Sequence, residues 1–179
     1  MKTTTILDSR DIDRIITRMA HEILERKTFH PENTALIGIR TRGIYLAQRI
    51  QSKIKEIEKC TLNIGSLDIS FHRDDLDIRK ELPRVGVTEI HFDIDNKTII
   101  LVDDVLYTGR TIRAALDELI DFGRPSRIQL AVLIDRGHRE LPIKADFVGK
   151  NIPTSEKDTI QVYLNESDDK EEVILICQE

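Results

Sequence analysis

Two adjacent acids, Asp103 and Asp104, stand at the end of an apolar run. After three intervening residues, Val105, Leu106 and Tyr107, comes the turn Thr108-Gly109-Arg110-Thr111. Within KTIILVDDVLYTGRT (97–111), Thr98–Val102 reads as a buried strand of a parallel sheet. Acids at the carboxyl end of such a strand face the crevice where open α/β sheets bind ligands. The Thr-Gly-Arg-Thr turn opens a predicted helix, Thr111 to Phe122. Unpaired N–H groups and the dipole at a helix start attract anions. Gly109 permits close backbone approach, and the threonines add hydroxyl donors. One stretch thus offers two carboxylates for a pair of hydroxyls and, just beyond them, a cradle for a phosphate. A ribose 5-phosphate presents those groups.

The elements that must position this stretch follow from pattern. Asp8 can cap a helix from Ser9 to about Lys27. Its buried stripe is Ile12, Ile15, Ile16, Met19, Ile23 and Leu24. Arg10, Arg14, Thr17, Arg18 and His21 share the exposed side, either a solvated, salt-bridged face or a phosphate-contacting one. Thr34–Ile39 is an apolar strand, followed by Arg40-Thr41-Arg42-Gly43 and a helix from Ile44 to about Lys59. This repeats the strand, polar loop and helix start of the central stretch and suits a second anion. Thr61–Phe71 alternates as a strand with a phase change, and a possible bulge, near Gly65. The charged segment of about 72–90 suits a lid, with Arg73, Arg79, Lys80 and Arg84 as candidates to meet an anion.

Gly123 and Pro125 end the helix after the central motif. Strand Ile128–Ile134 then runs into Asp135-Arg136-Gly137-His138-Arg139, another crevice position. Residues 142–154 read as irregular, Thr159–Leu164 and Val173–Cys177 as strands, and 165–172 as an acidic turn. The alternation of strands and helices predicts a single α/β domain over 1–179, a doubly wound, mostly parallel sheet of four or five core strands. The N-terminal helix and the region of about 136–160 are expected to form a small hood.

The chain has 179 residues, 40% hydrophobic and 33% charged, enough for one sizeable core. A net charge of −5 argues against a wholly basic nucleic-acid binder and leaves room for a local basic patch. Cys60 and Cys177 lack metal spacing and are expected to be buried free thiols. MKTTTILDSR lacks a signal-peptide core, and no apolar run reaches membrane-spanning length. A cytoplasmic protein without membrane contact is expected.

The central stretch resembles the signature of type I phosphoribosyltransferases, which use phosphoribosyl pyrophosphate (PRPP). That resemblance implies ribose hydroxyls held by Asp103 and Asp104. It also implies a 5-phosphate in the loop Val105 to Thr111, including Leu106, Tyr107, Thr108, Gly109 and Arg110, and pyrophosphate at Thr41 and Arg42. TRMAHEILER (17–26), GIRTRGIYLAQRI (38–50), DISFHRDDL (68–76), ILVDDVLYTGRT (100–111) and LIDRGHRELPIKADFVGKNIPTS (133–155) resemble the PyrR family. The second half of 72–97 departs from that pattern. Members combine uracil phosphoribosyltransferase activity with binding of pyr leader mRNA, by which transcription is attenuated. The resemblance implies transfer of ribosyl C1 from pyrophosphate to uracil N1, through a transition state of oxocarbenium character. Asp103, Asp104 and Arg42 are the residues it places nearest the reacting centre. Positioning can contribute ~7–11 kcal/mol to such a reaction. Mg²⁺ is implied as cofactor, leaning on substrate phosphates and meeting Asp103 and Asp104 through substrate or water.

Arg84 and Arg136 are then candidates for pyrophosphate or base, and Val162 for main-chain contact with the base. Relatives that use purines carry an Asp where this chain has Tyr107. A phenol with a pKa of about 10 is a poor substitute for that base, which favours a pyrimidine. KADFVGKNIP also resembles the hood of hypoxanthine-guanine phosphoribosyltransferases, so a purine enzyme is the alternative, with Lys144 on the base. The family resemblance further implies RNA contacts at Thr17, Arg18, His21, Arg139, Lys144 and Lys150. Lys144 is claimed by both readings. It also implies UMP or UTP as effector and a homodimer or larger homo-oligomer whose concave surface gathers residues from both subunits.

Overall fold

A computed structural model describes residues 2–69 and 87–177. Its main sheet has five parallel strands in the order β3-β2-β4-β5-β6. These are β2 (Thr34–Ile39), β3 (Asn63–Leu67), β4 (Thr98–Leu106), β5 (Arg127–Asp135) and β6 (Phe147–Asn151). Helix α1 (Ser9–Leu24) precedes β2, α2 (Arg42–Glu58) links β2 to β3, and α3 (Arg110–Asp121) links β4 to β5. A second, antiparallel sheet is formed by β1 (Lys2–Asp8), β8 (Glu172–Cys177) and β7 (Thr159–Tyr163), with the single-turn helix α4 (Asn165–Asp168) between β7 and β8. Among the described residues no helix is long and apolar enough to cross a membrane.

Period-two alternation divides the main sheet into two faces. Leu36, Ile100, Val102, Ala131 and Leu133 pack under α1 and α2. Ala35, Ile37, Ile99, Leu101, Leu130 and Val132 pack against α3. Apolar residues on both faces explain why β2, β4 and β5 read as continuous hydrophobic runs. The small sheet closes the first core with Leu7, Ile160, Val162 and Val173.

Several elements differ from expectation. Asp8 does cap α1, within a reciprocal pair: Asp11 N–H donates to Asp8 Oδ1 at 2.8 Å and Asp8 N–H to Asp11 Oδ2 at 3.3 Å. The helix ends at Leu24, and its stripe of Ile12, Ile16, Met19 and Ile23 is buried in the main core. It is therefore part of a core layer, not of a hood. The N-terminal strand β1 was not expected, because Lys2–Thr5 are exposed and show no alternation; β8 pairs with it. β6 emerges from the segment expected to be irregular because it adds in parallel beside β5. β3 is shorter than Thr61–Phe71 and pairs one-to-one from Ala35↔Asn63 to Ile39↔Leu67, without a bulge. A Cβ on Gly65 would lie 3.1 Å from Glu89 O, so the glycine makes room for the bridging segment. Both cysteines are free and half-buried rather than buried.

The start of α2 lies unusually close to the sheet. A Cβ on Gly43 would stand 2.4 Å from Val102 O, and one on Gly38 would stand 2.3 Å from Ile44 Cα. Both obstacles are backbone, which cannot swing aside. Gly43→Ala should therefore lower stability by about 1–3 kcal/mol through overpacking. A fall of roughly 3–10 °C in the thermal midpoint is expected; an unchanged midpoint would contradict this close contact.

Candidate active site

The parallel register brings the carboxyl ends of β2, β4 and β5 to one edge, because Gly38 sits beside Val102 and Val102 beside Ala131. Residues 40–43, 103–111 and 135–143 consequently surround one crevice. The two acids follow Val102 at this end of β4, and Asp104 lies within electrostatic reach of Arg42 of α2. Asp103 is buried and Asp104 half-buried. Asp104 N–H donates to Asp103 Oδ1 at 2.9 Å, and Val105 N–H donates to Asp104 Oδ1 at 2.7 Å. Burial pushes the Asp104 carboxyl up; the Val105 N–H and the Arg42 charge oppose that.

Both helices that face this crevice begin without a side-chain cap. Thr41 precedes α2 and Gly109 precedes α3, and neither position supplies a capping hydrogen bond. Gly109 has φ +94°, the left-handed region that favours glycine. It turns β4's extension into α3. Arg110 N–H donates to Thr108 Oγ1 at 3.3 Å, and Arg110 Nε to Glu140 at 2.7 Å. Two helix starts aimed at one crevice make two anion positions, with the carboxylates of β4 nearby. The Arg42 guanidinium is gripped by Asp168 of α4, which together with Asp104 holds it above its ordinary pKa.

Tyr107 is part-exposed and lies against Arg136, whose guanidinium carbon is 4.0 Å from the ring centroid. His138 meets the same ring edge-on, with centroids 6.4 Å apart. Arg136 is buried: its Nε donates to Thr154 Oγ1 at 3.2 Å and its Nη2 to Ser155 O at 2.9 Å. The result is a cationic-aromatic ledge beside the crevice. Val162 lies in the edge strand β7, with its side chain buried in the α1–α2 core. Only its main chain is therefore left to take part in recognition. Arg84 lies outside the described residues, as do Arg73, Arg79 and Lys80. Of the expected lid, 87–90 is described, and there Glu89 N–H donates to Ser66 O at 2.8 Å.

The six residues considered for RNA divide into two groups. His21, Lys144 and Lys150 are exposed, and Thr17 is half-buried with its hydroxyl on Asp13 O at 2.9 Å. Arg18 and Arg139 instead tie chain segments together. Arg18 donates to Gly149 O and to Val148 O, the latter at 3.2 Å, and pairs with Glu22. Arg139 donates to Tyr107 O at 2.8 Å, Ile143 O at 3.0 Å and Gly137 O at 3.2 Å, and pairs with Asp135. It clasps the 137–143 loop to the loop that precedes α3, where Glu140 and Leu141 N–H groups also donate to Thr108 O. The Arg18 bonds join α1, which carries Thr17 and His21, to β6, which carries Lys150. Sequence reasoning missed Asp168, Thr154 and Ser155, which hold Arg42 and Arg136; an acidic turn was visible, but nothing local said which cations it would meet.

The chain matches the family model for the phosphoribosyl transferase domain over residues 2–167. It is 62% identical over 163 residues to a protein of Roseiflexus sp. (strain RS-1) named Bifunctional protein PyrR, covering 91% of this chain and 88% of that one. A protein of the same name from Oceanobacillus iheyensis is 56% identical over 176 residues, 97% of each chain. Among solved structures, the hypoxanthine phosphoribosyltransferase of Trypanosoma cruzi superposes with a TM-score of 0.72 at 16% identity, covering 98% and 97% of the two chains. That of Staphylococcus aureus gives 0.68 at 20% identity, covering 96% and 90%. Likeness at that level speaks for the fold alone. The strand-end acids, the two uncapped helix starts and the near-full-length identity converge: the chain belongs to the PyrR family of phosphoribosyltransferase-domain proteins.

Proposed function

We propose that the protein is a uracil phosphoribosyltransferase, converting uracil and PRPP to UMP and pyrophosphate, and a cytoplasmic regulator that binds pyr leader mRNA in response to nucleotide. The observation that carries the first half is the placement of Asp103 and Asp104 between the uncapped starts of α2 and α3. The carboxylates accept from the two ribose hydroxyls. The α3 N–H groups, with Thr108 and Thr111, take the 5-phosphate. Thr41 and Arg42 take the pyrophosphate. The C1–oxygen bond breaks as the C1–N1 bond forms, and the N1 proton of uracil is released to solvent. Negative charge then grows on pyrophosphate, where Arg42 and the α2 dipole oppose it.

Adjacent carboxylates are the hard oxygen donors that Mg²⁺ takes, and the family generally uses Mg²⁺ with PRPP. Asp103 and Asp104 would hold it through substrate or water, and the ion would neutralise phosphate charge. The Tyr107–Arg136 ledge suits a flat pyrimidine, with the Arg136 charge beside its oxygens and the Val162 main chain within the neighbouring edge strand. No carboxylate takes the place of Tyr107, which argues for uracil over a purine.

The surface shared by Thr17, His21 and Lys150 supports the RNA half, with Lys144 exposed on the approach to β6. Cationic contacts there go to phosphates, while splayed loop bases carry sequence. Arg18 and Arg139 enter as residues that shape this surface and the phosphate loop. Because the Arg139 clasp reaches Tyr107 O, a nucleotide in the crevice and RNA outside it share one loop.

Four outcomes are expected. With PRPP and Mg²⁺, nucleotide forms from uracil and not from hypoxanthine, guanine or orotate; product with a purine would reassign Lys144 to the base. Asp104→Asn lowers kcat/KM for PRPP roughly 10²-fold through lost positioning, and retention of full activity would remove Asp104 from the site. UMP tightens binding of a pyr leader RNA and the RNA tightens UMP equally, as linkage requires. Lys150→Gln reduces the salt slope of RNA binding by about 1; absence of any RNA affinity would leave an enzyme without the regulatory role.

A further inference from the structure

Arg42 enters the candidate pyrophosphate position already gripped. Its Nε donates to Asp168 Oδ2 at 3.1 Å and its Nη2 to Asp168 Oδ1 at 2.7 Å, a fork-on-fork pair. Asp168 is itself fixed within α4: Leu164 N–H donates to its Oδ2 at 3.1 Å and Ser167 O–H at 2.6 Å. Two turns further along α2, Arg49 repeats the arrangement. It reaches Glu166 at 2.7 Å and Glu171 at 2.5 Å. The acidic turn between β7 and β8 therefore docks along the first half of α2 through two arginines seven residues apart on one face. The Arg42 pair keeps the Asp168 carboxyl well below the usual carboxylate range, so the pair is fully charged near neutrality.

A guanidinium has five N–H groups, and the fork takes two of them. Three remain, and Asp104 lies within electrostatic reach of the same cation. The occupied edge fixes the plane of the guanidinium, and with it the direction of the donors left over. A long side chain held beforehand loses less rotamer freedom when its ligand arrives.

We propose that Asp168 is a positioning residue of the PRPP site: it locks Arg42 so that its remaining N–H groups face the pyrophosphate beside Asp104. The inference rests on the phosphoribosyltransferase reading above. It makes the small antiparallel sheet, remote in sequence from the loops of the crevice, an outer support of the catalytic centre. It also gives the acidic 165–172 segment a task that its composition alone does not suggest.

A double-mutant cycle on Arg42 and Asp168 tests it. Asp168→Asn keeps a carbonyl oxygen for the Leu164 N–H and Ser167 O–H groups, so α4 retains its turn while the charge is lost. In the full-length enzyme, Asp168→Asn should raise KM for PRPP roughly tenfold or more and lower kcat. KM for uracil should change little. In an Arg42→Gln background the same substitution should have almost no further effect on KM for PRPP. An equal effect in both backgrounds would show a merely structural residue and overturn the proposal, as would no effect at all. A fall in KM would overturn it too, by showing that Asp168 withholds Arg42 from substrate. Wild-type protein that turned over no base would count against the phosphoribosyltransferase reading instead. The cycle would then be read from titrations with inorganic pyrophosphate, where the same non-additivity is expected and additivity would overturn the proposal.

Discussion

A Cβ at position 43 would stand 2.4 Å from the carbonyl oxygen of Val102, so the first turn of α2 can lie on β4 only because residue 43 is glycine. Gly38 removes the matching obstacle on β2. This close approach sets the geometry of the crevice. It brings the start of α2 and Arg42 within electrostatic reach of Asp104 at the end of β4. Parallel pairing of β2, β4 and β5 does the rest, because strands in register deliver their carboxyl ends, and the loops that follow, to one edge.

Arginines hold the periphery of this crevice together. Arg136 ties the ledge beside Tyr107 to Thr154 and Ser155, Arg139 clasps the 137–143 loop to the loop that precedes α3, and Arg18 ties α1 to β6. Arg139 meets carbonyls of irregular chain and Arg18 those of the edge strand β6, because the planar donors of one guanidinium can serve several acceptors at once. Such a side chain counts toward net charge yet offers little free charge to an external phosphate. Lys144 and Lys150, on flexible stems and exposed, are physically better suited to that. The acidic net charge of −5 is thus compatible with a local basic surface, since several of the acids are matched to internal arginines.

The two sheets divide the work. The parallel sheet positions the acids and the helix starts. The antiparallel sheet closes the α1–α2 core and, through α4, meets α2 where it matters for the site. A core shared between them means that loosening either would be felt in the crevice, because close-packed interiors transmit displacement.

Local and periodic features were legible in the order of residues alone. Apolar runs marked β2, β4 and β5, the 3.6-residue stripe marked α1, and Asp8 marked its start. The acid pair and the Thr108–Thr111 turn pointed to a ribose 5-phosphate because the groups suited to it lie within nine consecutive residues. What depended on partners distant in the chain was not legible. β1 is polar and largely exposed, and is a strand only because β8 pairs with it; β6 is a short strand only beside β5; Gly65 looked like a bulge until Glu89 filled the space before it. Likewise the types of Arg18, Arg139 and Arg42 announced charge, but only the fold decided what each would meet. Side-chain chemistry is written residue by residue, whereas a hydrogen bond between Arg42 and Asp168 needs 126 residues of chain to fold before the two can touch.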